Sequence, residues 1–191
     1  MPVRIQHDQL ANSVYYVTFT CYKWKHLFSI SQAYTAVYKW FDTLYEKNIS
    51  VFSYVIMPNH LHVILHFPTM PKSLNMVIGN AKRFMAYDII KGLEKYKEFL
   101  LLEDLQSRVS KREQRKGQRH KVFEESFDAK ECQSLKFILE KIKYIHHNPV
   151  SKRWQLVNDF TEYEYSSASF YEKRIKKYAK LVHVNVVLQQ F

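Results

Sequence analysis

Glycine and proline are scarce in this chain, at 3 and 5 of 191 residues, which excludes collagen-like and low-complexity architectures and predicts few loops. Cysteine is nearly absent. Cys21 and Cys132 stand far apart, form neither a C-x-x-C pair nor a framework of bridges, and read as ordinary reduced thiols. No apolar run approaches the length of a bilayer span, and no basic amphipathic helix stands apart from the body. The first residues, MPVRIQHDQLANS, carry no apolar signal core, so the expectation is a protein kept in the cytoplasm, at the nucleoid, without a membrane partner. Acidic residues are outnumbered: 18 Asp and Glu against 29 Lys and Arg leave a net charge of +11, the footprint of a protein that binds a polyanion, nucleic acid first. What abounds is apolar and aromatic. Hydrophobic residues make up 47%, with 14 Tyr and 13 Phe, enough for one buried core with rings left over for stacking surfaces. The length suits one domain over residues 1–191.

Residues 14–22, VYYVTFTCY, are β-branched and aromatic with a period of two and predict a first strand. A helix follows, with Ala33, Val37, Trp40, Phe41 and Leu44 at helical spacing. SVFSYVIM (50–57) and HLHVILHF (60–67) flank the turn dipeptide Pro58-Asn59 and predict a hairpin. Ser73 is a candidate N-cap for a second helix that buries Leu74, Val77, Ile78, Ala81, Met85 and Ile89. Seven of the fifteen residues in SRVSKREQRKGQRHK are Lys or Arg, which predicts a mobile basic loop at about 106–121. HKVF (120–123) reads as a short last strand, and a third helix runs from about Lys130 to His147, stopped by Pro149. Strand, helix, two strands, helix, strand is the order of an α+β ferredoxin-like sandwich. In the extension at about 172–191, LVHVNVVL reads as a strand that pairs with a sheet edge.

His60 and His62 are two apart in a strand, so both leave one face of the sheet, a geometry that suits a shared metal. Taken alone the signal is weak, because His66 shares that face and His-x-His pairs arise easily by chance. In the third helix Leu135, Ile138, Leu139, Ile142 and Ile145 form the expected buried stripe, and Phe137, Glu140, Tyr144 and Asn148 a neighbouring face. On composition alone Tyr144 is one more packed aromatic and Asn148 a C-cap. His146 and His147 are further candidate ligands, and His147 is the competitor of Asn148.

MPNHLHVIL (57–65) followed by YIHHNPV (144–150) resembles the single-tyrosine HUH transposases, in particular the branch associated with repetitive extragenic palindromes (REP). HKVFEESFDAKE resembles that branch's segment before the tyrosine helix, and YEYSSASFY (163–171) the Ser-Ser segment after it, so the likeness runs from about Val14 to Tyr171. The chain departs from the pattern at Val122-Phe123, where relatives often carry Leu-Trp, and in SKRWQLV, which lacks the Gly that often follows Asn-Pro-Val. The resemblance implies a ferredoxin-like antiparallel sheet with helices on one face and a tyrosine-bearing helix laid near the histidine strand. By the same resemblance His60, His62 and Asn148 hold a divalent metal, Mg²⁺ or Mn²⁺, and Tyr144 is the nucleophile. It further implies cleavage and strand transfer of single-stranded DNA at hairpins through a covalent 5′-phosphotyrosine, as in DNA transposition. A homodimer stays open, since some relatives share active sites between subunits and others act alone. The alternatives are a catalytically inactive or domesticated hairpin-binding protein on the same fold, and a hydrolase that uses the histidine pair with water.

DNA contacts are expected from Lys82 and Arg83, from Arg108, Lys111, Arg112, Arg115, Lys116 and Arg119, and from Lys173, Arg174, Lys176 and Lys177. For any one of them a solvated surface charge is the simpler reading; as a group the 106–121 segment favours DNA. Tyr22, Trp24 and Phe28, interleaved with Lys23, Lys25 and His26, suit stacking on unpaired bases, and Trp24 and Phe28 suit a cover over the core equally well.

Overall fold

The computed structural model describes residues 12–69 and 73–188, so the signal-core reading of the first residues and the end of the extension fall largely outside it. In chain order the elements are β1 (Ser13–Thr20), α1 (Leu27–Ser31), α2 (Thr35–Tyr45), β2 (Ser50–Met57), β3 (His60–Phe67), α3 (Leu74–Lys95), α4 (Phe99–Ser107), α5 (Lys111–Arg115), β4 (Asp128–Glu131), α6 (Leu135–His147), α7 (Ala168–Lys173) and α8 (Asn185–Leu188). The strands form one antiparallel sheet in the order β2-β3-β1-β4, the ferredoxin-like arrangement. Among the described residues no helix is long and apolar enough to cross a membrane.

Alternation along the strands gives the sheet two apolar faces. Tyr15, Val17, Phe19, Leu61, Val63 and Leu65 point to one face, where Val37 and Phe41 of α2 and Ile78, Met85 and Ile89 of α3 close the main core. Each such side chain, fully removed from water, stabilises by about 1.5–3 kcal/mol. Val14, Tyr16, Val55 and Ile64 point to the other face, where α6 crosses with Ile138, Ile142 and Ile145 buried against them. Half-exposed Leu135 and Leu139 lie off that stripe. The sheet is thus covered by α2 and α3 on one side and by α6 on the other.

Three local expectations are corrected. The fourth strand is Asp128–Glu131, paired with Tyr15–Thr18, and not HKVF. Phe123 instead turns into the core, 5.5 Å from Phe19 and 6.0 Å from Phe28, leaving only a single bridge to Cys21. The basic segment is not wholly loop. Ser110 and Glu113 make a reciprocal capping box that starts α5, and Lys121 pairs with Glu113 at 3.0 Å. Its hydrogen bonds to Ser110, then Lys121, hold the Glu113 carboxyl down to about 2. LVHVNVVL forms no strand. The β2 edge is taken by the Ser-Ser segment, with Ile56 N–H donating to the Tyr165 carbonyl (2.9 Å) and Ser167 N–H to the Tyr54 carbonyl (3.0 Å); the extension adds one bond, Val182 N–H to the Val51 carbonyl (3.1 Å).

Candidate active site

His60 opens β3 immediately after the Pro58-Asn59 turn, and the period of two places His60 and His62 together on the α6 face, opposite Thr20 and Thr18 of β1. Their Nε2 atoms are 3.1 Å apart, while each Nδ1 is held by an oxygen behind it. His60 Nδ1 lies 2.6 Å from Asn59 Oδ1, and Asn59 Nδ2 donates to the Trp24 carbonyl at 2.9 Å, which fixes the amide's orientation. An amide oxygen only accepts, so His60 carries its proton on Nδ1 and presents a lone pair at Nε2. His62 Nδ1 lies 2.6 Å from Thr18 Oγ1 and 2.8 Å from Tyr16 Oη. Burial pushes the Tyr16 phenol up to about 12, so it stays a hydroxyl, and the two hydroxyls accommodate either tautomer of His62.

Burial, then the charge of Arg153, holds His60 down to about 4; burial, then His60 and Lys141, holds His62 well below the ordinary value. Both rings are therefore neutral at neutral pH, the form that ligates metal. The residues present fit a divalent ion. A separation of 3.1 Å is what two adjacent nitrogens span at about 2.1 Å from a common centre, and each ring has the backing oxygen that metal-binding histidines use. Among the described residues no group of three or more His, Cys, Asp or Glu gathers around a common point, so the two imidazoles would be the ligands of these residue types to an ion here. His66 stands apart, bonded to Asn12 Oδ1 at 2.7 Å and stacked on Phe52.

The hydrophobic stripe of α6 fixes its roll over the sheet, and with it the flanking row Phe137, Lys141 and Tyr144. The Tyr144 ring lies 5.5 Å from His62 and 6.4 Å from Tyr16, and is 54% exposed. Among the described residues its hydroxyl has no hydrogen-bond partner, so a phosphodiester can approach it. Lys141, absent from the candidate residues of the sequence, joins this row beside Phe137 and Tyr144. Its Nζ lies 5.1 Å from the Tyr16 ring and 5.8 Å from the Tyr144 ring. Its spacing of three residues before Tyr144 is the signal that finds it.

The other helix-end residues divide. His146 is buried, its Nε2 2.8 Å from Ser167 Oγ and 3.1 Å from Ser53 Oγ, and acts as a brace between α6, β2 and the Ser-Ser segment. His147 is turned away, with Nδ1 against the Lys143 carbonyl at 2.9 Å and its ring stacked on Phe160. Asn148 caps α6 and is partly buried; none of the described contacts joins its side chain to the histidine pair.

Of the candidate DNA contacts, Arg83, Arg112, Arg115 and Lys116 are exposed. Lys82 is instead engaged within the fold, where its Nζ donates to the carbonyls of Glu124 (2.6 Å), Glu125 (3.0 Å) and Ser126 (3.3 Å). Lys82 and Arg83 also belong to α3, on the far face of the sheet from the histidines. At its end the 108–121 segment meets the turn after β1, where Lys121 Nζ lies 5.5 Å from the Tyr22 ring and Tyr22 N–H donates to the carbonyl of the next residue, Val122 (2.8 Å); α4 pairs with the same turn through Lys25–Asp104 (3.0 Å). Of the three aromatic residues after β1, Phe28 is buried, Tyr22 packs on the core, and Trp24 stands 49% exposed beside His60.

Fold and site together define a ferredoxin-like α+β protein with an oriented histidine pair on the sheet beneath a helix-borne tyrosine. Among solved structures the chain is similar to a REP-associated tyrosine transposase bound to a REP hairpin, with a TM-score of 0.62 and 12% identity over 92% of this chain and 89% of that one. It has the fold of that transposase. No protein-family model matches the chain, and no curated protein matches it significantly in sequence.

Proposed function

We propose that this protein is a REP-associated HUH tyrosine transposase that cleaves single-stranded DNA beside a hairpin and rejoins it. The observation that carries this reading is the half-exposed Tyr144 ring 5.5 Å from His62, whose Nε2 faces that of His60 at 3.1 Å. The hairpin bound by the fold's solved relative supports the choice of substrate.

Tyr144 Oη attacks a phosphodiester phosphorus, its proton passes to solvent, and the bond to the departing 3′-oxygen breaks. The product is a 5′-phosphotyrosine and a free 3′-hydroxyl. Phosphate remains a diester throughout, so a second 3′-hydroxyl can reverse the exchange and join a different strand. His60 and His62, with Asn148 as the candidate third side chain, would hold a divalent metal, Mg²⁺ or Mn²⁺, which would supply charge neutralisation at the phosphate. Asn59, Thr18 and Tyr16 orient the two imidazoles. Lys141, its Nζ 5.8 Å from the Tyr144 ring, attracts the negative phosphate that approaches the tyrosine. Arg112, Arg115 and Lys116 hold the DNA backbone, with Arg83 reserved for strand that wraps past α3.

The test is incubation with Mg²⁺ or Mn²⁺ and hairpin DNA labelled on the 3′ side of the cleavage site, resolved on a denaturing gel. Labelled protein that disappears with Tyr144→Phe, while hairpin binding persists, supports the reading. Cleavage without protein-linked label makes the protein a hydrolase, and binding without cleavage makes it an inactive hairpin binder.

A further inference from the structure

Next to the histidine pair, on the side away from Lys141, lies an open cleft of about 600 Å³ whose walls include Trp24, Trp154, Tyr34 and Tyr165 and whose floor is Pro58-Asn59. Both indoles border the site directly: their ring centres lie 5.8 Å (Trp24) and 5.7 Å (Trp154) from that of His60. Between them sits Arg153, its guanidinium carbon 4.9 Å from the Trp24 ring centre and 5.7 Å from that of Trp154. Among the described residues Arg153 has no carboxylate partner, although it is fully charged.

The backbone under both walls is held in an unusual conformation. Lys23 and Trp24 have φ of 51° and 57°, and Gln155, directly after Trp154, has φ of 44°, in the left-handed region that side-chain-bearing residues rarely occupy. Such conformations persist where surrounding contacts over-determine them, and they cluster at sites. Here the contacts are identifiable. The Trp24 carbonyl accepts from Asn59 Nδ2 (2.9 Å), the same amide that orients His60, and Trp154 N–H donates to the Ser151 carbonyl (2.9 Å). A large exposed aromatic held by strained backbone and tied to a candidate ligand's own support is poorly explained as core cover, because Phe28 and Tyr34 already fill that role.

We infer that the cleft between Trp24 and Trp154 receives an unpaired nucleobase of the DNA strand one nucleotide from the scissile phosphate, and that Arg153 occupies this place until the base enters. A guanidinium is a flat, delocalised cation of about the thickness of a base and stacks on the same faces. When the base displaces it, the freed charge is one side-chain length from the phosphate at His60. Stacking holds the strand in register with Tyr144 while tolerating several base identities, since every base has a π-face. The inference rests on the single-stranded DNA substrate proposed above, and it adds the position and the residues that grip the strand.

The experiment uses the full chain with Tyr144→Phe, which keeps bound DNA uncut, and hairpin oligonucleotides carrying either 2-aminopurine or an abasic site at one position at a time in the unpaired flank. One position is expected to show strong 2-aminopurine quenching, and an abasic site there to weaken binding about tenfold. Trp154→Ala and Trp24→Ala should each weaken binding of intact DNA by a similar factor and lose little more when combined with that abasic site. Trp154→Phe should retain most of the affinity. The quenching and abasic scans use the intact cleft, so they decide the matter even where an alanine variant folds poorly. Losses that simply multiply, or no position that quenches, would overturn the inference. The two proposals fail separately: an adduct on Tyr144 without base–tryptophan coupling removes only the cleft, and coupling without an adduct in the unsubstituted protein removes only the catalytic reading.

Discussion

At the scale of single residues the site depends on oxygens that fix proton positions. Asn59 is buried and uses both ends of its amide, one on the Trp24 carbonyl and one on His60 Nδ1. Asn59→Ala is expected to lower affinity for Mn²⁺ by 10- to 100-fold in titration calorimetry, the range for losing the group that backs a metal-binding histidine. Unchanged affinity would mean the pair does not bind metal through Nε2. The histidine pair was legible from its period of two. The role of Asn59 was not, because in sequence it is a turn residue and its partner carbonyl is 35 residues away. His146 illustrates the reverse: a candidate ligand that the fold buries as a brace. Burial, then the charge of His147, holds its pKa down to about 3, against about 6.5 unfolded. The folded state therefore refuses a proton that the unfolded chain accepts. Its contribution is complete above pH 6.5 and is lost as pH falls toward 3. In urea unfolding between pH 4 and 6, His146→Gln is expected to flatten the fall of stability with acid by about 1.4 kcal/mol per pH unit.

At the scale of elements, the regular pieces were readable wherever apolar periodicity was strong. The five residues expected to be buried by the first helix are all buried, four of them in α2 and Ala33 in the turn before it, and β1, β2 and β3 fall within one or two residues of their expected bounds. β4 was not readable, because an edge strand of four residues, Asp-Ala-Lys-Glu, buries little and carries charges outward. Its position instead follows from the turn before it, where burial pulls the Lys82 ammonium down to about 8, partly opposed by Glu124 and Glu125. Lys82→Met would leave three carbonyls without their donor and is expected to cost about 1–3 kcal/mol in chemical unfolding. Because Lys82 is committed to that turn, the salt dependence of DNA binding should stay the same; a reduced slope would return Lys82 to the DNA surface. On α6 the spacing of three and four that groups Phe137, Glu140 and Tyr144 leaves out Lys141, which stands three residues before Tyr144. At about 100° per residue both Glu140 and Lys141 neighbour Tyr144, and Lys141 is the one whose Nζ lies over the Tyr144 ring, at 5.8 Å.

At the scale of the whole molecule, the net charge of +11 includes the exposed cations Arg112, Arg115 and Lys116, in a segment whose last residue, Lys121, lies 5.5 Å from the ring of Tyr22 just after β1. Arg112, Arg115 and Lys116 replaced together by alanine are expected to lower the slope of log affinity against log salt by about 2, from about 0.7 per phosphate contact on single strands. An unchanged slope would place the DNA elsewhere. The order of elements and motifs announced the fold, but the meeting of α6, β3 and the Trp24 turn at one point is a tertiary fact that no local pattern encodes.

The central claim is that Tyr144 Oη becomes covalently bonded to DNA. It is tested most directly by digesting the metal-treated protein–hairpin product with protease and nuclease and sequencing the modified peptide by mass spectrometry. The account predicts a 5′-linked nucleotide on the peptide containing Tyr144, absent without divalent metal and absent in the His60→Ala, His62→Ala double variant. A nucleotide on any other residue, or cleaved DNA ending in a free 5′-phosphate with unmodified protein, would contradict it.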